Sequence, residues 1–114
     1  MKALLARQRA AFERRPYPAL AERKDKLAAL RAALRRRQDA LCEAMAQDFG
    51  GRSRSESRFA DVLGPVLQIN HALAHLRRWM KPARRRTELV FFSNQAWVEY
   101  QPKGVVGIIS PWNF

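Results

Sequence analysis

The sequence predicts an α/β chain, in which amphipathic helices lead into a β-hairpin and then into the first strand of a parallel sheet. Three observations predict it. Apolar residues recur at helical spacing as far as Met80, β-rich runs follow Arg84-Arg85-Arg86, and Val105-Val106-Gly107-Ile108-Ile109-Ser110 is apolar on both faces. A strand apolar on both faces is expected in a parallel sheet, where helices cover each side.

The elements follow in order. Residues 3–15 read as a short helix, ended by Pro16-Tyr17-Pro18 because proline disfavours helix at the residue before it. A long helix is expected from about Ala19 to Phe49, with Leu20, Leu27, Leu30, Leu34, Leu41 and Met45 on its apolar face. Gly50-Gly51 stops it, since glycine adopts a left-handed cap at low steric cost.

The next helix, about 54–80, starts at Ser53 and Glu56, which have the spacing of a capping box. Its apolar stripe is Phe59, Val62, Leu63, Val66, Ile69, Leu73, Leu76 and Met80. Pro65 has no N–H to give, so Gly64-Pro65 should kink the helix, and Lys81-Pro82 ends it. Two amphipathic helices joined by a short glycine turn should pack antiparallel. Leu89–Phe92 and Ala96–Tyr100 then read as a hairpin around Ser93-Asn94-Gln95. Gln101-Pro102-Lys103-Gly104 turns the chain into the expected strand at 105–110.

Composition narrows the class. With 114 residues, 47% of them hydrophobic, the chain can fold as one domain with a modest core, which excludes a disordered tail. No uncharged stretch reaches the ~18 residues of a membrane span, so no membrane association is expected. Arg7 and Arg9 interrupt the apolar start too early for a signal peptide. The Arg-rich amphipathic start also fits a mitochondrial presequence; the location expected is the cytoplasm. The single Cys42 excludes an internal disulfide, and its helical setting points to a small half-buried hydrophobe rather than a reactive thiol. The formal net charge of +12 raises a rival reading, a small basic helical module that binds nucleic acid. The arginines are scattered and not interleaved with aromatics as a single-strand binder requires, so no nucleic-acid partner is expected. A steep salt dependence of nucleic-acid binding would favour the rival.

His71 and His75 have the i, i+4 spacing of helical metal ligands. Position 72 is Ala, so the zincin glutamate is missing, and no third ligand follows. The expectation is a solvated or interface face, with no metal site.

Pro102-Lys103-Gly104-Val105-Val106-Gly107-Ile108-Ile109-Ser110-Pro111-Trp112-Asn113-Phe114 resembles the P-x-G-V-x-x-I-x-x-P-W-N-[FY] signature of the aldehyde dehydrogenase superfamily. Upstream, His75-Leu76-Arg77-Arg78-Trp79-Met80-Lys81-Pro82 and Trp97-Val98-Glu99-Tyr100 resemble the branch with coniferyl and fatty aldehyde dehydrogenases. The resemblance covers essentially the whole chain.

It implies an N-terminal fragment of a Rossmann-like aldehyde dehydrogenase fold, truncated before the nucleophilic cysteine, the general-base glutamate and the dinucleotide-binding turn. By the same resemblance, residues 1–83 are the N-terminal helical segment of the cofactor-binding domain. Residues 84–101 are the hairpin of the oligomerisation region, and 102–114 open the dinucleotide-binding core. The implied activity is oxidation of an aromatic or long-chain aldehyde to the acid through a cysteine thiohemiacetal, with NAD or NADP as cofactor. A homodimer or tetramer is implied for the full-length protein, and the fragment itself should be inactive.

Ligands of open α/β sheets bind beyond the carboxyl ends of strands, which places Ile109, Ser110, Pro111 and Trp112 beside the cofactor. By the same resemblance Asn113 is expected to be the catalytic residue. Its amide is a neutral donor that can bond a developing oxyanion without changing protonation state. Cys42 does not match the nucleophile's motif.

Overall fold

The computed structural model describes residues 2–110. They divide into two units, a helical one at Ala19–Lys81 and a terminal one that combines the residues up to Pro18 with those from Pro82 onward.

In the helical unit the expected long helix is two helices, α2 at Leu20–Arg36 and α3 at Gln38–Asp48, after α1 at Lys2–Arg14 in the terminal unit. The break is at Arg37, whose φ of −104° and ψ of 11° leave the helical well. Hydrogen bonding runs through it, from Arg37 N–H to the Ala33 carbonyl and from Leu41 N–H to the Arg37 carbonyl, each 3.0 Å. Two causes act here. Three consecutive arginines repel one another, and the two halves follow different partners: α2 packs on α5, at Gly64–Trp79, whereas α3 packs on α4, at Arg54–Ser57, and on the segment after it. The first half of one arm meets the last half of the other, so the arms are antiparallel, as expected.

Gly50 and Gly51 close α3 with a Schellman motif. Both have positive φ, 65° and 111°; Gly51 N–H bonds the Ala46 carbonyl at 2.8 Å and Gly50 N–H the Gln47 carbonyl at 3.3 Å. The capping box does not form. The Ser53 side chain makes no cap bond, and the Glu56 carboxylate turns to the Arg52 guanidinium at 3.5 Å, a charged donor that outcompetes a backbone amide.

The kink expected at Gly64-Pro65 takes the form of a π-helical segment, Arg58–Leu63. Gly64 N–H reaches the Phe59 carbonyl, five residues back. Widening the turn before a proline re-partners carbonyls that the missing N–H leaves behind. It also shifts the apolar face. Seven residues make about two α-turns and return to one face, but in wider turns they do not. Phe59 and Leu63, expected in the stripe, are therefore 73% and 41% exposed, and Leu30 is also exposed. The core consists of Cys42, Ser57, Val62, Val66 and Ile69. Arg31 of α2 donates to the Asn70 Oδ1 of α5 at 2.6 Å beside it.

In the terminal unit the hairpin forms with a different first strand. Ala83–Arg85 (β1) pairs antiparallel with Ala96–Val98 (β2), in the register Ala83↔Val98, Arg84↔Trp97, Arg85↔Ala96. Leu89–Phe91 is a 3₁₀ turn. The tight loop expected at Ser93-Asn94-Gln95 needs a left-handed residue and contains no glycine. Among the described residues no non-glycine has positive φ. The reversal is spread over a longer connection instead, through Phe91 N–H to Glu88 O (2.9 Å) and Asn94 N–H to Phe91 O (2.9 Å).

The strand expected at 105–110 does not form among the described residues. A parallel strand needs a neighbour reached by a crossover, and the one sheet described is β1-β2. Val106, Ile108 and Ile109 are 71%, 88% and 98% exposed. No helix is long and apolar enough to cross a membrane among the described residues.

Two core substitutions should act in opposite directions. Ile69→Ala should cost about 2–5 kcal/mol, because it opens a cavity. Ser57 is fully buried and its Oγ has no hydrogen-bond partner. Ser57→Ala should therefore stabilise, by about 1 kcal/mol, through removal of an unsatisfied hydroxyl. Urea unfolding midpoints of the two variants check both signs.

Candidate functional site

The segment that carries the expected site is 101–114, and the described part of it ends at Ser110. Its approach is held from the terminal unit's own helix. Gly104 has a φ of 114°, a conformation that L side chains rarely adopt, and lies against the Phe12 ring of α1. A Cβ built on Gly104 would meet Phe12 Cε1 at 3.8 Å, an ordinary contact, so the glycine is required by its backbone and not by crowding. Four residues earlier, Tyr17 Oη donates to the Tyr100 carbonyl at 3.3 Å. Tyr17 stands in the Pro16-Tyr17-Pro18 stop that ends α1. The same stop that terminates the helix thus supplies the donor that ties down residue 100.

Of the five expected site residues, Ile109 and Ser110 are placed. Both are exposed, and neither sits in a strand. Pro111, Trp112 and Asn113 lie outside the described residues. Two concave surfaces among the described residues lie elsewhere. One, of about 420 Å³ in the helical unit, is lined by Arg35, Gln38, Phe59, Val62, Leu63 and Val66 among others. Another, of about 560 Å³ in the terminal unit, lies beside Arg84, Arg85 and Arg86 and is floored by Leu89 and Phe92. Neither includes Ile109 or Ser110.

The basic residues are partly committed inside the fold. Arg58 pairs with Asp39 at 2.6 Å, Arg54 pairs with Glu43, and Arg52 pairs with Asp61 at 3.1 Å. The first two ion pairs join α3 to the second arm. Cys42 is buried and unbridged, more enclosed than the half-buried position expected of it. His71 and His75 stack, with ring centroids 4.1 Å apart, and Trp79 continues the stack. The aromatic column was not read from the sequence, although the i, i+4, i+8 spacing of 71, 75 and 79 was there to find it.

The comparisons with known proteins agree with the motif. The model described as the aldehyde dehydrogenase family matches residues 1–114. A probable coniferyl aldehyde dehydrogenase of Pseudomonas aeruginosa is 45% identical over 114 residues, covering 100% of this chain and 24% of that protein. One from Caulobacter vibrioides is 41% identical over 117 residues, again covering 100% of this chain and 24% of its own length. Aldehyde dehydrogenase family 3 member B1 of Bos taurus is 36% identical over 81 residues, 71% of this chain and 17% of that protein. The chain thus spans about a quarter of the length of the first two relatives. No solved structure matches it.

Gly104→Ala should destabilise the chain by about 1–2 kcal/mol, the cost of forcing an L residue into positive φ. Gly107 has no positive φ and nothing within 4 Å of its built Cβ, so Gly107→Ala should cost less. Denaturant midpoints at unchanged m-value measure the difference.

Proposed function

This chain belongs to the aldehyde dehydrogenase family, and on that premise we propose that it forms the N-terminal part of an NAD(P)-dependent oxidoreductase. The enzyme converts an aldehyde to its carboxylic acid in the cytoplasm. The observation that carries the reading is Pro102 to Phe114, whose P-x-G-V-x-x-I-x-x-P-W-N-F run resembles the family's signature. Relatives named for coniferyl aldehyde support an aromatic substrate. We place residues 1–83 and 102–114 in the Rossmann-like cofactor domain and 84–101 in the oligomerisation region of a dimer or tetramer.

The roles follow from the chemistry of the side chains. The aldehyde adds to a cysteine thiolate from outside these 114 residues, since Cys42 is buried in the helical core. Negative charge develops on the former carbonyl oxygen. The Asn113 amide donates to that oxygen, and because it is neutral it needs no proton transfer to do so. A nicotinamide cofactor, when bound, supplies the hydride acceptor.

Ile109, Ser110, Pro111 and Trp112 border the cofactor through their backbone. Ile109 and Ser110 are exposed among the described residues. Pro111 has no N–H to give to a strand ladder. The basic-module alternative gains no support from Arg31, Arg52, Arg54 and Arg58, which are engaged within the helical unit.

In the full-length enzyme, Asn113→Ala should lower kcat by ~10²–10³, with a smaller change in KM and an unchanged melting temperature. Steady-state kinetics and thermal melts on the same preparation decide it. A near-native kcat reduces Asn113 to a turn residue. The 114-residue chain alone should oxidise no aldehyde in the same assay.

A further inference from the structure

We propose that Phe12 and Tyr17 are positioning residues for the aldehyde reaction. From α1 and its proline stop they set the turn at 101–104, and through that turn the placement of the Asn113 amide. Their role rests on the reading of Asn113 as the oxyanion donor. It gives the first helix a task in the chemistry, which that reading leaves without one.

Successive restraints act on the chain as it enters the signature segment. β2 ends at Val98, held in register against Ala83 of β1. Beyond it the Tyr100 carbonyl accepts a hydrogen bond from Tyr17 Oη at 3.3 Å. Gly104 then turns with a φ of 114°, and a Cβ built on it would meet Phe12 Cε1 at 3.8 Å and Cδ1 at 3.9 Å. The ring edge therefore stands at van der Waals distance from the point where the backbone changes hand. Between the two contacts lies Pro102, whose φ is fixed by its own ring. A turn that is stiff in the middle and held at both ends passes its orientation to the residues that follow.

The anchors themselves stand on stiff backbone. Arg15 N–H donates to the Phe12 carbonyl at 3.0 Å, which closes the last turn of α1 around Phe12. Pro18 restricts Tyr17 to extended backbone, since proline disfavours helix at the residue before it. Among the described residues Phe12 is the only residue of α1 that is not exposed, and α1 adds no residue to the buried core. A transition-state donor tolerates little error, because a displacement of about 1 Å can cost on the order of 10²-fold in rate. Ground-state binding of the aldehyde depends less on that donor. Loss of positioning therefore shows in the chemical step and not in KM.

The test uses the full-length enzyme and reads the single-turnover rate of reduced-nicotinamide formation, which product release does not mask. KM and the melting temperature are measured beside it. Tyr17→Phe removes one hydroxyl and keeps the ring. It should lower the rate by about two- to tenfold, the equivalent of one neutral hydrogen bond, with KM changed by less than about twofold and an unchanged melting temperature. Phe12→Ala should act in the same direction. Leu4→Ala, on the same helix but 58% exposed, should leave the rate unchanged. Combining Tyr17→Phe with Asn113→Ala decides the route. If the hydroxyl acts through Asn113, the double variant is no slower than Asn113→Ala alone. A native rate in Tyr17→Phe, or an equal loss in Leu4→Ala, overturns the positioning role. So does a loss confined to KM or melting temperature, or additive losses in the double variant; in all of these the role of Asn113 itself stands. A near-native rate in Asn113→Ala overturns both.

Discussion

The helical unit depends on one backbone constraint, the left-handed pair Gly50-Gly51. Two successive positive φ values turn the chain at the end of α3, and the Schellman bonds to Ala46 and Gln47 satisfy carbonyls that would otherwise be orphaned. Only after that reversal can α2 lie on α5 and α3 on α4 and the π-helical segment. The core of Cys42, Val62, Val66 and Ile69 is assembled from both arms, so no part of it exists before the turn is made. Arg31 and Asn70 then add a polar clasp between α2 and α5, beside the apolar contact.

A second constraint is proline placement, which acts twice with different results. Pro16 and Pro18 follow the end of α1 and flank Tyr17, which bonds the Tyr100 carbonyl. Pro65 removes one N–H from a helix that nevertheless continues, and the chain answers by widening into π turns over Arg58–Leu63. In each place the missing donor or restricted φ decides where regular structure can run.

Charge has a narrower role than +12 implies. Arg52, Arg54 and Arg58 meet acids within the helical unit, and most of these pairs are exposed enough to contribute little to stability. Their use is positional, because Arg54–Glu43 and Arg58–Asp39 join α3 to the arm that packs on it. The same competition explains the failed capping box, where Arg52 takes the Glu56 carboxylate from the backbone.

Local signals in the sequence determined what local physics controls. The stops at Pro16-Pro18 and Gly50-Gly51, the irregularity at Pro65, the change of period after Arg86 and the Pro102–Phe114 motif all rest on neighbouring residues, and the family follows from that motif. The bend at Arg37, the π register that turns Phe59 outward, the choice of Ala83–Arg85 over Leu89–Phe92 as a strand, and the stacked His71–His75–Trp79 column were decided by tertiary structure. Each depends on which partner a residue meets far along the chain, or on a loop that lacks the glycine a tighter turn requires. The run at 105–110 shows the same boundary from the other side. Its composition marks a buried strand, but a strand exists only where a neighbour completes its hydrogen bonds, and sequence pattern alone carries no information about that neighbour.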